Sequence, residues 1–259
     1  MTPIPAATVI LVRPVVRPGR AGLEVFLVRR HKKASFMSGA FVFPGGKIDP
    51  SDGSAEVAAV RELFEEAGVL LADRALEPAT QARWRRRLLA GEVAFPQLLE
   101  EEGLKPDQTR LHEWSRWITP SFEPKRFDAL FFVAELPPDQ VPSFDDQETV
   151  EELWIGPADA LARQAEGTLR LPPPQLRTFH ELAAAGTIGD VVIAAGERQK
   201  QPVGICPRPV LGGENITLLM PWDPDYPSAE GEGDVVPAGH VLATPPSRMT
   251  WTGSAWLAT

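Results

Sequence analysis

FPGGKIDPSDGSAEVAAVRELFEEAG, residues 43–68, is the stretch whose reading decides the fold. Its second half reads as a helix. Asp52 or Ser54 supplies a start signal and Gly68 a stop, while Val57, Val60, Leu63, Phe64 and Ala67 fall on one face at about 100° per residue. The other side gathers Glu62, Glu65 and Glu66, related by i, i+3 and i, i+4 spacing, so their carboxylates point to nearly the same place. Like charges so spaced cost about 0.2–0.5 kcal/mol per pair, and acids in a last turn also oppose the helix dipole. Something positive is expected there, and Arg61 offsets only Glu65 through an i, i+4 contact.

The segment before the helix narrows the choice. FVFPGG, residues 41–46, is a short β-like run that breaks at Pro44 into two glycines, where backbone can approach a ligand closely and offer bare carbonyls. Glycine carbonyls facing a carboxylate-rich helix make a donor set of oxygens only. Such donors suit Mg²⁺ or Mn²⁺, ions that commonly act on phosphates.

Arg61 to Val69, RELFEEAGV, resembles the core of the Nudix box, whose usual form is G-x5-E-x7-R-E-U-x-E-E-x-G-U with U aliphatic. Every specified position from Arg61 onward is met. The front half departs from that form: fourteen residues separate Gly46 from Arg61 where the family has thirteen, and Asp52 stands near the place of the first glutamate. FPGGKIDPSD with this insertion is similar to the Nudix branch that includes coenzyme A diphosphatases. The preceding RRHKKASFMSGAFVFPGG resembles peroxisomal-type members and their bacterial relatives, although Ser35 stands where a second coenzyme A signature has arginine. The likeness continues through WITPSFEPKRFDALFFVAEL and QETVEELWIGPADAL and covers roughly residues 5–185.

The resemblance implies an α/β/α sandwich with a mixed β-sheet, and a hydrolase that splits a diphosphate linkage with Mg²⁺ or Mn²⁺. Glu62 and Glu66 are implied as metal ligands together with a carbonyl of Gly45 or Gly46, and Glu65 as a further ligand, directly or through water. Arg61 would orient these glutamates. Family members differ in the general base, which here is either Glu62 or a carboxylate of the downstream SFDDQETVEE loop. Of Asp145, Asp146, Glu148, Glu151 and Glu152, the choice falls on Glu148, just before a strand. Arg30 and Lys47 are the favoured phosphate contacts, with Lys125 and Arg126 behind them; the four histidines have no ligand spacing and read as structural. The implied substrate is a nucleoside diphosphate derivative, best coenzyme A or acyl-coenzyme A. NADH, ADP-ribose or dinucleoside polyphosphates are the alternatives, and a non-catalytic nucleotide-sensing module is the rival class.

With 259 residues the chain can bury a substantial core. Its net charge of −9 argues against a nucleic-acid or acidic-membrane partner, so a polyanionic substrate must be attracted locally. The single Cys206 allows no internal disulfide and is in keeping with a reducing cytoplasm. AATVILV, residues 6–12, is too short to cross a bilayer and lacks the flanks of a leader, and the final WLAT is not a peroxisomal address.

Strands are expected at 6–13, 23–30 and 40–43 around an RPGRAG turn, then at 128–136 and 149–155. Helices are expected at PADALARQAEG and about 174–185. Residues 73–114 read as a helical insertion in which Trp84 and Leu88 pack. The Nudix domain is taken as residues 1–190. Residues 191–259 form a Pro/Gly-rich extension of short β-like pieces, among them NITLLMPW and HVLATPP, which could be an added β-layer, a lid or the interface of a homodimer. Trp222, Trp251 and Trp256 read as packing or subunit contacts.

Overall fold

The computed structural model describes residues 2–17, 20–31, 37–212 and 215–259; the RPGRAG turn at 18–19 and Ser35 lie outside them. The helix expected after the glycines is α1 (Ala55–Ala67). Ser54 begins it by accepting from the Val57 N–H at 3.2 Å, and Gly68, at φ 71°, ends it by donating to the Phe64 carbonyl. Val60, Leu63, Phe64 and Ala67 are wholly buried. Each large apolar side chain so buried contributes about 1.5–3 kcal/mol.

α1 packs on a mixed sheet built around β1 (Ile4–Arg17), which runs antiparallel to β2 (Arg20–Arg30) and parallel to β6 (Phe127–Glu135). β3 (Phe41–Val42) and β7 (Thr149–Ile155) pair with β2, β4 (Gly45–Lys47) pairs with β1, and β5 (His112–Ile118) pairs with β6. Period-two alternation divides β1 between two cores: Val9 and Leu11 face α1, while Ile10 and Val12 face the opposite layer. The first layer adds α2 (Pro78–Leu89) and α3 (Phe95–Glu102); the second holds α4 (Pro157–Ala165), α5 (Pro173–Ala185) and α6 (Ile188–Gln199). This is the α/β/α sandwich expected from the resemblance. Among the described residues no helix is long and apolar enough to cross a membrane.

Three local readings are corrected. The first two strands are longer than expected because the hairpin ladder continues to Arg17↔Arg20. The insertion ends earlier than residue 114, since β5 already starts at His112. From Gly186 the chain forms α6 and not β-like pieces, so a boundary at 190/191 would cut this helix. Thr187 and Asp190 make a reciprocal capping box that starts it, and Val191 and Ala195 are its buried stripe; Gly189, Gly196 and the run of β-branched residues hid that period.

The remaining extension contributes β8 (Gly204–Ile205), which joins the main sheet beside β5. It also forms an antiparallel sheet of β9 (Arg208–Gly212), β10 (Asn215–Leu219), β11 (Arg248–Trp251) and β12 (Trp256–Ala258). HVLATPP is a series of turns, with no strand. Arg177, 1 % exposed, fastens the extension to α5 by donating to the carbonyls of Leu242, Thr244 and Pro246 while pairing with Glu181. The three tryptophans pack: the rings of Trp251 and Trp256 are 5.4 Å apart, and Arg177 lies over Trp222.

Candidate active site

The two glycines and the acidic end of α1 meet at the floor of a cavity of about 840 Å³. β4 brings them there by pairing Gly45 with Thr8 and Gly46 with Ala7. No larger residue fits at Gly45, where a Cβ would lie 2.5 Å from the Ala7 carbonyl oxygen, and a Cβ on Gly46, 2.6 Å from Glu62 Oε1, would push that carboxylate aside. The Gly45 N–H donates to Glu66 Oε2 at 3.0 Å.

Arg61 organises the rest of the floor. Its Nε and Nη2 donate to the two oxygens of Asp52 at 2.8 and 2.9 Å, its Nη1 to Glu62 at 2.9 Å and Glu65 at 3.2 Å, and its Nη2 also to the Lys47 carbonyl. Asp52, whose side chain is fully buried, sits in a short 3-10 turn, Pro50–Asp52, where it also accepts from the Asp49 N–H. Asp52, six residues after Gly46, thus places a carboxylate behind the arginine, a bidentate contact that sets the plane of the guanidinium. Burial works against the Arg61 charge, but the Asp52 hydrogen bonds and the charges of Glu62 and Glu65 outweigh it and raise the pKa. Asp52→Asn is expected to slow turnover about 10- to 100-fold through misdirected glutamates, the usual effect of losing a supporting contact behind a ligand. Initial rates beside a folded circular-dichroism spectrum check this; a rate within twofold of wild type would rule the role out.

A second cation sits behind α1. Arg85 of α2 donates from Nε to the Glu65 carbonyl at 3.0 Å and from Nη2 to the Glu66 carbonyl at 2.9 Å, satisfying the last turn of the helix and complementing its dipole. It is the positive partner that the acidic helix end called for. The insertion also reaches the site through Leu88 and Leu89, which line a smaller cavity of about 250 Å³ with Glu62, Glu65, Glu66 and Glu148.

The carboxylates bear the marks of mutual repulsion in a dry place. Burial pushes Glu62 up to about 7, with Arg61 opposing the shift and Glu65 adding to it. Glu66, 5 % exposed, is raised well above the usual carboxylate range by burial and then by Glu62. Glu65 is raised too, by burial against the pull of Arg61. Among the described residues no three acidic, histidine or cysteine side chains form a ready-made metal cluster. Glu62 and Glu65 turn toward Arg61, and Glu66 toward the glycine N–H. The donor chemistry still suits a hard divalent ion: all oxygen, strongly negative, and carrying on Glu66 a buried carboxylate that has a backbone N–H as its hydrogen-bond partner.

Glu148 lines both cavities, with its Oε2 4.0 Å from Arg30 Nη2. Of its loop neighbours, Asp145 also lines the smaller cavity, and three of them are engaged locally. Asp145 accepts from the N–H groups of Gln147, Glu148 and Thr149, Glu152 from that of Phe144, and Glu151 pairs with Arg29. Arg30 and Lys47 both line the large cavity, as does His31, which the spacing argument had set aside.

Arg126 is not brought there. Only 4 % exposed, it donates from Nε to the Thr119 carbonyl and from Nη2 to Glu232 of the extension. Its neighbours Lys125, in the bend before β6, and Phe127, the first residue of β6, line the cavity instead, so the basic residue on this wall is Lys125.

A sequence profile described as the NUDT19 Nudix domain matches residues 54–182, and one described as the NUDIX domain matches residues 4–95. The chain is 31% identical to putative nudix hydrolase 7 of Caenorhabditis elegans, over 85% of its own length and 74% of the relative. It is 30% identical to human acyl-coenzyme A diphosphatase NUDT19 (82% and 75%) and 26% identical to the Gallus gallus protein of that name (81% and 74%). The crystal structure of a NUDIX hydrolase from Alicyclobacillus acidocaldarius superposes with a TM-score of 0.65 at 30% identity, covering 75% of this chain and 96% of that one. With its box helix, glycine turn and sandwich in place, the chain belongs to the Nudix hydrolase family.

Proposed function

We propose that the protein is a divalent-cation-dependent diphosphatase acting on coenzyme A or an acyl-coenzyme A. The observation that carries the chemistry is the buried Glu66 and half-buried Glu62 at the Gly45–Gly46 turn on the floor of a cavity with cationic walls, with Glu65 beside them in the adjoining smaller cavity. Support for the substrate class comes from the relatives named acyl-coenzyme A diphosphatase, which share most of the chain's length.

Glu62, Glu66 and a carbonyl of Gly45 or Gly46 would hold Mg²⁺ or Mn²⁺, with Glu65 in support. When bound, the ion supplies positive charge against the diphosphate oxygens and a more acidic water. Arg61, clamped by Asp52, keeps the glutamates aimed and balances part of their charge. Arg30 and Lys47 orient the diphosphate, and Glu148 at the cavity mouth accepts the proton of the attacking water, a role that Glu62 could fill in its place. The water oxygen joins one phosphorus as the bridging P–O bond breaks. Coenzyme A then yields adenosine 3′,5′-bisphosphate and phosphopantetheine.

Incubation with Mn²⁺ or Mg²⁺ and a panel of coenzyme A, acyl-coenzyme A, NADH, ADP-ribose and diadenosine polyphosphate, with products weighed after reaction in ¹⁸O-water, tests this. Expected is preferred turnover of the coenzyme A members with one ¹⁸O incorporated into a product phosphate. Equal or greater efficiency on NADH or ADP-ribose would reject the substrate, and turnover of none would point to a binding module.

A further inference from the structure

The large cavity continues past the glutamate floor along β6, where Phe127, Ala129 and Phe131 alternate onto its wall. Phe131 lies beside Thr8, itself paired with Gly45, so it marks the level of the floor. Phe127 is four residues farther along the strand, about 13 Å at roughly 3.3 Å per residue. The Lys125 ammonium stands 5.4 Å from the centre of the Phe127 ring. Lys125 thus belongs to the Phe127 end of this wall, and Glu66 and the glycines to the Phe131 level of the floor. Lys125 also has no ion-pair partner among the described residues. It is a cation beside an aromatic ring on the wall of a ligand cavity that Trp117 also lines, in a protein whose net charge is −9.

The segment carrying it is tethered from behind. The Arg126 guanidinium reaches the Thr119 carbonyl at 2.8 Å and pairs with Glu232, while the Phe127 N–H donates to Thr119 Oγ1 at 3.0 Å. Glu232 belongs to the extension, which in this way holds one wall of the cavity.

We propose that this end of the cavity is a recognition subsite for a second anionic group of the substrate, a phosphomonoester or carboxylate carried away from the scissile diphosphate. Lys125 makes the ion pair, Phe127 and Trp117 supply an apolar platform, and Glu232 is a positioning residue that acts through Arg126. The inference rests on the diphosphatase reading above and adds a feature that its substrates must carry.

Two matched pairs test it on the Mn²⁺-loaded protein: coenzyme A against dephospho-coenzyme A, and two acyl-coenzyme A thioesters of equal chain length with and without a terminal carboxylate. Wild type is expected to show a KM about tenfold lower for the anionic member of one pair, the gain of one charged contact. The pair that discriminates identifies the source of the charge. Lys125→Met should erase the preference. Glu232→Gln, altered at a side chain 54% exposed, should raise KM more than it lowers kcat, and Glu232→Asp should recover part of the loss. Absence of discrimination in wild type, or discrimination that survives Lys125→Met, overturns the subsite. If nothing is turned over, the diphosphatase reading fails separately, and calorimetric dissociation constants for the same four ligands decide the subsite by the same ratios.

Discussion

Glu66→Gln is expected to lower kcat about a thousandfold with the fold intact, the scale at which removing a group that stabilises the charge of a transition state is felt. The carboxamide keeps the size of the side chain and can still accept from the Gly45 N–H, so packing at the floor survives. What it cannot do is bring a negative charge to an ion. The same replacement should help the metal-free protein, because Glu66 is buried and its charge is disfavoured by desolvation and by Glu62. In wild type the folded-state pKa lies above the unfolded one, so stability is complete below the unfolded value and is lost as pH rises through the folded value. Glu66→Gln lacks that loss. Its urea midpoint in chelator should therefore match wild type in acid and exceed it in alkali. Turnover within a few-fold of wild type would remove Glu66 from the proposed ligand set.

Stripping the cation should make the wild-type protein progressively weaker from mildly acidic to mildly alkaline pH. For Glu62 the rise from the usual 4.5 to about 7 corresponds to about 3 kcal/mol, since one pH unit is worth about 1.4 kcal/mol. The folded protein binds more protons than the unfolded chain across this window, so stability falls as pH rises from about 4.5 and levels off above about 7. A divalent ion reverses the slope because it takes the ionised carboxylates and competes with their protons. The gain in melting temperature on adding Mn²⁺ should then be larger near pH 8 than near pH 5. A gain that is the same at both values, or absent, contradicts a site made of these glutamates.

The box was legible because its signals are short-range. The apolar stripe of α1, the Ser54 start and the Gly68 stop lie within one turn of the residues they control, and the glutamate spacing depends on nothing else. The wall of the cavity was not legible, for a reason of phase. Adjacent residues of an extended chain face opposite ways, and composition gave no ground for preferring Lys125 to Arg126 until the path of the bend leading into β6 was known. Arg85 was hidden among Arg83, Arg86 and Arg87. A helical reading would have singled it out, since Gln81, Trp84, Arg85 and Leu88 form one stripe, and Gln81 Nε2 does donate to the Gly68 carbonyl. Asp52 could be noticed only as a departure from the usual box. Its use as the clamp of Arg61 follows from the 3-10 turn Pro50–Asp52, which buries its side chain against the guanidinium.

The most direct trial of the site is a crystal grown with Mn²⁺ and a non-hydrolysable diphosphate analogue, measured for anomalous scattering. The expected map has its strongest peaks between the carboxylates of Glu62 and Glu66 and the carbonyl of Gly45 or Gly46, with the bridging diphosphate beside them. A bound analogue with no anomalous peak at the glutamates, or with manganese held only elsewhere, would contradict the assignment.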